Sequence, residues 1–127
     1  MFVPNATAGV NAVVRSLRFL PGDELLTTSH VYNACRNVLA FVAQRDGASV
    51  VEAPVPFPVA SRAEVLAAVE GAMGPRTRLL LVDHVTSPTG LVLPVEDLVR
   101  LASARGVDTL VDGAHAPGMI PVNLDAL

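Results

Sequence analysis

Apolar positions along the chain switch repeatedly between helical and strand spacing. From Ala6 to about Phe19 they recur at helical intervals, and Asn5 or Thr7 can cap this segment while a Pro-Gly pair ends it. The following stretch, DELLTTS, has the length and residue types of a short strand. The first part of the chain therefore predicts a helix followed by a strand.

A second helix and a second strand follow the same pattern. The apolar face of this helix carries Tyr32, Cys35, Val38, Leu39 and Val42. An Asp-Gly pair at positions 46 and 47 closes the helix, and ASVVEAPV has the pattern of the second strand. The Pro-rich PVPFP that comes next is predicted to be a loop.

The second half of the chain repeats the alternation. Ser61 and Glu64 form a capping box that starts a helix running to about Met73. RLLLVDHV is a continuous apolar run typical of a buried strand, and Pro94 opens the helix VEDLVRLASAR, which Gly106 stops. VDTLVD is the last predicted strand.

Strands separated by helices in this way predict an α/β fold. Right-handed crossovers make the sheet parallel and cover both of its faces with helices, which gives a three-layer αβα arrangement. Hydrophobic residues make up 51% of the 127 residues, whereas aromatic residues make up 4% and Trp is missing. A core of Val, Leu and Ala is usual in sheets that helices cover, so the composition agrees with the pattern.

The charge and cysteine content exclude several classes of partner. The net charge is -3 and the nine cationic residues are scattered, so neither nucleic acid nor a membrane surface is expected as a partner. The single Cys35 precludes an internal disulfide, and neither a membrane span nor a secretory signal is evident. These features fit a reducing cytoplasm.

Polar side chains follow the predicted strands at their carboxyl ends, where open parallel sheets bind ligands. His30 follows the first strand, Ser87 follows the third, and Asp112 and His115 follow the fourth. Loops that are far apart in sequence therefore deliver these residues to one rim of the sheet.

Asp112 needs a partner that the neighbouring sequence does not supply. A carboxylate at the end of a buried strand loses hydration, and a cation or several donors must replace it. Arg105 lies at the far end of the same strand, and no cationic residue follows Asp112. A bound ligand or a metal is one explanation, and capping of the next turn is the other. The helix start from Asn5 to Gly9 likewise suits either a bound phosphate or ordinary capping.

Pyridoxal phosphate is a ligand that combines a phosphate, a cationic ring nitrogen, a flat ring and a phenolic oxygen. Four consecutive blocks, NATAGVNAVVRSL, SHVYNACRNVL, DHVTSPTG and VDGAHAPGMIPVNLDAL, resemble the class V aminotransferase family of fold-type-I pyridoxal phosphate enzymes. Within that family the chain resembles the isopenicillin-N-epimerase-like branch, and the likeness covers nearly its whole length.

The resemblance implies which residues hold the cofactor phosphate and ring. Ala6, Thr7 and Ala8 would bind the phosphate. His30 would lie over the pyridine ring, with Tyr32 as the alternative stacking residue.

The resemblance also implies how the ring is activated. Asp112 would pair with the ring nitrogen and keep it protonated, so that the ring can accept electrons from the substrate α-carbon. His115 would approach the phenolic oxygen, and Ser87 stands where related desulfurases often carry Asn. Asp112, His30 and His115 are therefore the predicted catalytic residues.

Enzymes of this kind hold the cofactor on a lysine that follows the acid-and-histidine block, whereas all nine cationic residues here are Arg. The resemblance therefore implies that residues 1–127 are part of a cofactor-binding large domain, without its N-terminal segment, lysine loop and small C-terminal domain. We expect the full-length parent to be a homodimer that acts on the α-carbon of an amino acid by epimerase, aminotransferase, desulfurase or lyase chemistry. Residues 1–127 alone are expected to be inactive.

Two other interpretations remain open at this point. Asp83, His84, Asp112 and His115 could instead supply the oxygen and nitrogen ligands of a metal-dependent hydrolase. The chain could also be a truncated product without activity. Cys35, on the apolar face of its helix, is expected to be a core thiol rather than a nucleophile.

Overall fold

The computed structural model describes residues 2–123 of the chain. The end of the segment VDGAHAPGMIPVNLDAL, residues 124–127, lies outside them. Helices and strands alternate along the described part: α1 (Ala6–Ser16), β1 (Glu24–Thr28), α2 (Asn33–Asp46), β2 (Ser49–Ala53), α3 (Arg62–Ala72), β3 (Thr77–Asp83), α4 (Val95–Ser103) and β4 (Asp108–Asp112). Every element that the sequence pattern predicts is present in the predicted order.

The ends of the helices follow local capping chemistry. The side chain of Asn5 accepts a hydrogen bond from the Ala8 N–H at 2.8 Å, so Asn5 rather than Thr7 caps α1. The helix ends at Ser16, earlier than predicted, because the backbone becomes extended at Leu17. At the end of α2, Gly47 adopts φ 74, a left-handed conformation that glycine adopts without steric cost.

The predicted capping box at the start of α3 is present in a modified form. The Ser61 hydroxyl accepts from the Glu64 N–H at 3.3 Å, as the motif requires. The Glu64 carboxylate accepts from the N–H of Ala60 at 2.7 Å, one residue before the N-cap. Both side chains still bind backbone N–H groups that the helix itself cannot satisfy.

The four strands form one parallel sheet in the order β2-β1-β3-β4, which confirms the predicted fold class. Helices α1 and α2 cover one face through a core cluster that includes Val14, Leu39 and Leu81. Helices α3 and α4 cover the other face, where Val69 and Leu98 belong to the second cluster. The sheet is therefore the middle layer of three.

This strand order creates a crevice at the carboxyl edge of the sheet. The chain passes from β1 through α2 on one face, and from the neighbouring β3 through α4 on the opposite face. The loops after β1 and β3 therefore diverge from each other. Such a topological switch point is where open α/β sheets bind their ligands.

The helices are short. The longest element of the described residues, α2, has 14 residues. Across residues 2–123, no helix combines the length and apolar character needed to cross a membrane.

Candidate functional site

A cavity of about 320 Å³ lies at the switch point, on the side of the sheet that α1 and α2 cover. The start of α1, the loop after β1 and the ends of β3 and β4 all contribute to it. Its lining consists of Asn5, Ala6, Thr7, Tyr32, Asp83, Val85, Ser87, Asp112, Ala114 and His115. The cavity thus brings together residues from four separate parts of the sequence.

Asp112 ends β4 and is only 6% exposed. One carboxylate oxygen, Oδ1, accepts from the Ala114 N–H at 3.0 Å, which is the turn cap that the sequence left open. The other oxygen, Oδ2, accepts from the Cys35 thiol at 3.3 Å. Among the described residues, Asp112 belongs to no ion pair. Two neutral donors from the described part of the chain therefore hold this carboxylate in place.

Cys35 is fully buried in α2, as expected for a core thiol. Burial, together with the hydrogen bond to Asp112 and the charge of that residue, raises the pKa of the thiol to about 12. The thiol therefore stays protonated at neutral pH and acts as a hydrogen-bond donor. The helical spacing of the sequence placed Cys35 in the core, but it gave no sign of this contact with Asp112.

Asp83 is a further functional candidate, which the sequence analysis named only as a possible metal ligand. It ends β3 directly beside Asp112, because the two residues are paired in the parallel register, and it is 3% exposed. Its Oδ2 accepts from the Tyr32 N–H at 3.2 Å. Burial and, next, the charge of Asp112 raise the pKa of Asp83 to about 6. The shared ending LVD of the third and fourth strands is the signal that could have revealed the pair.

The start of α1 faces the cavity with two of the three predicted phosphate-binding residues. Ala6 and Thr7 line the cavity, and Ala8 does not. The N–H of Ala8 is already bonded to the Asn5 side chain, and the N–H of Gly9 is bonded to the Asn5 carbonyl. The first N–H groups of a helix have no partner within the helix, so those of Ala6 and Thr7 are the ones available to an anion.

His30 is not among the residues that line the cavity containing Asp112, and its place over the cofactor ring stays a prediction. Its Nε2 donates to the Val55 carbonyl at 2.9 Å, and its Nδ1 lies 3.0 Å from the Thr89 hydroxyl. The ring also lies against Phe57 with 6.2 Å between centroids. These contacts on both edges hold the ring between the loops after β2 and β3. Tyr32 lines the cavity instead.

Ser87 and His115 are both in the cavity lining, at the ends of β3 and β4. A side-chain hydrogen bond of 2.8 Å between Thr86 and Thr89 braces the turn that carries Ser87. His115 follows Asp112 in an exposed turn. The structure brings these two residues to the cavity, and their roles toward a ligand stay predictions.

The four proposed metal ligands do not converge. Asp83, Asp112 and His115 line the cavity described above, whereas His84 lines a different cavity, of about 360 Å³, beside Arg62. Within the described part of the chain, no group of three or more acidic, His or Cys side chains could hold a metal ion. The geometry therefore does not favour the metal-dependent hydrolase.

The fold and the cavity define a three-layer α/β protein with a ligand site at the carboxyl edge of a parallel sheet. The class-V aminotransferase model matches residues 1–127, and the chain belongs to this family.

Known proteins that are similar to the chain include enzymes of more than one activity. Isopenicillin N epimerase of Streptomyces clavuligerus is 43% identical over 97% of the chain and 31% of its own length. Putative L-cysteine desulfhydrase 1 of Oryza sativa subsp. japonica is 35% identical over 96% of the chain and 28% of its own length. The chain thus spans about a third of the length of these relatives.

A solved structure supports the fold and the cofactor. It is a lysine-to-alanine mutant of C-DES with glycine covalently linked to its PLP cofactor, and it matches with a TM-score of 0.85. Sequence identity is 28%, and the match covers 95% of this chain and 32% of that one. The family and this neighbour indicate pyridoxal 5'-phosphate as the cofactor, as expected from the sequence.

Proposed function

We propose that this chain forms the cofactor cradle of a pyridoxal phosphate enzyme that acts on the α-carbon of an amino acid. The observation that carries the proposal is the single cavity into which Thr7, Tyr32, Asp112 and His115 all converge. The phosphate would bind at the N–H groups of Ala6 and Thr7, where the positive end of the α1 dipole favours an anion.

The remaining lining residues suit the ring of the cofactor. Tyr32 supplies a flat side chain, 42% exposed, that can stack on the ring. His30, whose ring nitrogens bind Val55 and Thr89 at the edges of the ring, stays the other candidate for this role. Asp112 supplies a carboxylate that forms no ion pair within residues 2–123, and Ser87 and His115 supply polar groups for the phenolic oxygen. These side chains therefore match the groups that the cofactor presents.

When bound, pyridoxal phosphate withdraws electrons from the substrate α-carbon and makes the bonds to that carbon labile. Asp112 would hold the proton on the ring nitrogen, since the Ala114 N–H and the Cys35 thiol each donate to one of its oxygens and so orient the carboxylate. Ser87 and His115 would orient the opposite side of the ring. These residues bind and position the cofactor, and none of them supplies a lysine.

The substrate and the reaction are proposed from the relatives. The identity of 43% to an isopenicillin N epimerase favours proton exchange at the α-carbon of an amino acid, and the desulfhydrase relatives make elimination from cysteine the alternative. We also propose that the full enzyme is a homodimer in the cytoplasm. Sedimentation of the full enzyme tests the assembly.

Binding of pyridoxamine 5'-phosphate to the purified chain tests the cofactor cradle. This compound carries the ring and the phosphate, and its binding requires no lysine. We expect the Asp112→Asn variant to bind at least about tenfold more weakly, because loss of a charged hydrogen bond costs about 1.5 kcal/mol or more. Isothermal titration calorimetry measures the affinity.

The matched control is Asp108→Asn, which removes an exposed carboxylate from the opposite end of the same strand. This variant should bind like the unmodified chain, and inorganic phosphate should compete with the ligand. Absence of binding, or equal binding by Asp112→Asn, would contradict the proposed cradle.

A further inference from the structure

The cavity has two acidic side chains on one wall. Asp83 and Asp112 are register partners at the ends of adjacent parallel strands, so their side chains point to the same face of the sheet. Both line the cavity, and both are buried. One carboxylate is enough for one cationic ring nitrogen, which leaves the second without an assigned role.

The two carboxyl groups differ in how many of their oxygens accept hydrogen bonds from the protein. Each oxygen of Asp112 accepts a hydrogen bond, whereas Oδ1 of Asp83 is buried and has no partner within the described part of the chain. An ionised carboxylate with an unpartnered buried oxygen is costly. Asp83 is therefore stable in either of two states: with a proton, or with a cation beside it.

The groups that act on the pKa of Asp83 come from the end of β4, the start of α2 and the loops after β3 and β4. Asp112 raises its pKa by like charge, and burial raises it further, to about 6. The backbone N–H groups of Tyr32 and Ser87 and the charge of the nearby His115 lower it. Cys35 is itself held protonated by the two carboxyl groups and by burial, so it contributes no charge. The balance gives similar populations of protonated and ionised Asp83 near pH 6.

On the basis of the proposed function, we propose that Asp83 is a second ring-binding carboxyl group that exchanges its proton for a cationic ring nitrogen. Below about pH 6, Asp83 carries the proton when the ligand is absent. When a ring that bears an N–H cation binds beside Asp112, the proton of Asp83 passes to water, and the pair gains one negative charge as one positive charge enters. Asp83 thereby makes the cavity selective for the protonated form of the ring.

The test is the pH dependence of pyridoxamine 5'-phosphate binding to the unmodified chain, Asp83→Asn and the control Asp108→Asn. Calorimetry in two buffers of different ionisation enthalpy counts the protons released on binding. The ligand phosphate also titrates in this range, so the difference between the chain and Asp83→Asn isolates the carboxyl group.

We expect the chain to release more protons than Asp83→Asn near pH 6. The two proteins should bind equally near pH 5, where Asp83 is neutral, and the chain should bind about tenfold more tightly above pH 7. Asp108→Asn should follow the unmodified chain. A ¹³C NMR titration of the Asp83 carboxyl group gives a second readout that needs no variant, and its midpoint should fall by about one pH unit or more when the ligand is bound.

Equal proton release and parallel pH profiles for the chain and Asp83→Asn would overturn this inference and leave the cofactor cradle standing. An Asp83 midpoint that the ligand does not move would do the same. If the unmodified chain fails to bind the ligand at any pH, both the cradle and this inference are overturned.

Discussion

Cys35 is a core residue and also a contact of the candidate site. Its helical position buries the side chain completely, and the same position brings the thiol within 3.3 Å of Asp112 Oδ2. Because burial and the two carboxyl groups raise the thiol pKa to about 12, Cys35 donates a hydrogen bond rather than acting as a nucleophile. Cys35 therefore orients the carboxylate that would meet the ring nitrogen.

Replacing Cys35 separates packing from this hydrogen bond. Cys35→Ala removes the donor, and we expect its affinity for pyridoxamine 5'-phosphate to fall by about fivefold, the equivalent of one hydrogen bond of about 1 kcal/mol. Cys35→Ser keeps a hydroxyl donor and should retain most of the affinity. Calorimetric titration of both variants provides the comparison. If Ala and Ser bind alike, the thiol contributes only packing.

Among the elements, α1 couples stability to ligand binding through its cap. Asn5 lines the cavity and holds the Ala8 N–H, which leaves the preceding N–H groups of Ala6 and Thr7 at the cavity. Ser61 caps α3 through the Glu64 N–H and lies outside this cavity. The chain therefore offers two comparable caps, of which one belongs to the site.

We predict that Asn5→Ala and Ser61→Ala each lower the free energy of unfolding by about 1 kcal/mol, because each removes an N-cap. Only Asn5→Ala should weaken binding of pyridoxamine 5'-phosphate, and binding of pyridoxamine without the phosphate should not change. Urea unfolding and calorimetry on the two variants measure these quantities. Equal ligand affinities in the two variants would mean that the start of α1 does not bind the phosphate.

The elements themselves could be predicted because their signals are local. The period of apolar residues defined each helix and strand, and caps such as Asn5 and Ser61 fixed where helices begin. The end of α1 was wrong because the apolar pattern continues past Ser16, where the backbone has already become extended. Local periodicity does not detect such a change of direction.

The site was only partly predictable because it depends on contacts between elements. Parallel topology was sufficient to bring Asp112, Ser87 and His115 to one cavity. The place of His30 follows from hydrogen bonds to two other loops, and the pairing of Asp83 follows from strand order and register. Strand order cannot be read from the spacing of residues in one sequence.

For the molecule as a whole, the carboxyl groups control how stability changes with pH. Asp46 accepts a hydrogen bond from Arg45, which lowers the Asp46 pKa to about 2. The contribution of this carboxylate to the stability of the fold is therefore lost only in strong acid. The effect of Asp83 on stability has the opposite sign, because its pKa rises from 3.8 in the unfolded chain to about 6 in the folded one. The folded state therefore binds the proton more tightly, and stability falls as the pH rises from about 4 to above 6.

In the unliganded chain, Asp83→Asn should abolish this decrease in stability with rising pH. The variant carries no ionisable group at this position, so near pH 7 we expect it to be more stable than the unmodified chain by on the order of 2 kcal/mol. Near pH 4, where Asp83 is protonated, the two proteins should differ little. Urea unfolding across this range measures the difference, and Asp108→Asn, which neutralises an exposed carboxylate on the adjacent strand, should retain the slope of the unmodified chain. A pH profile of Asp83→Asn that stays parallel to that of the unmodified chain would show that Asp83 is ionised throughout, and that the unpartnered oxygen is satisfied by water.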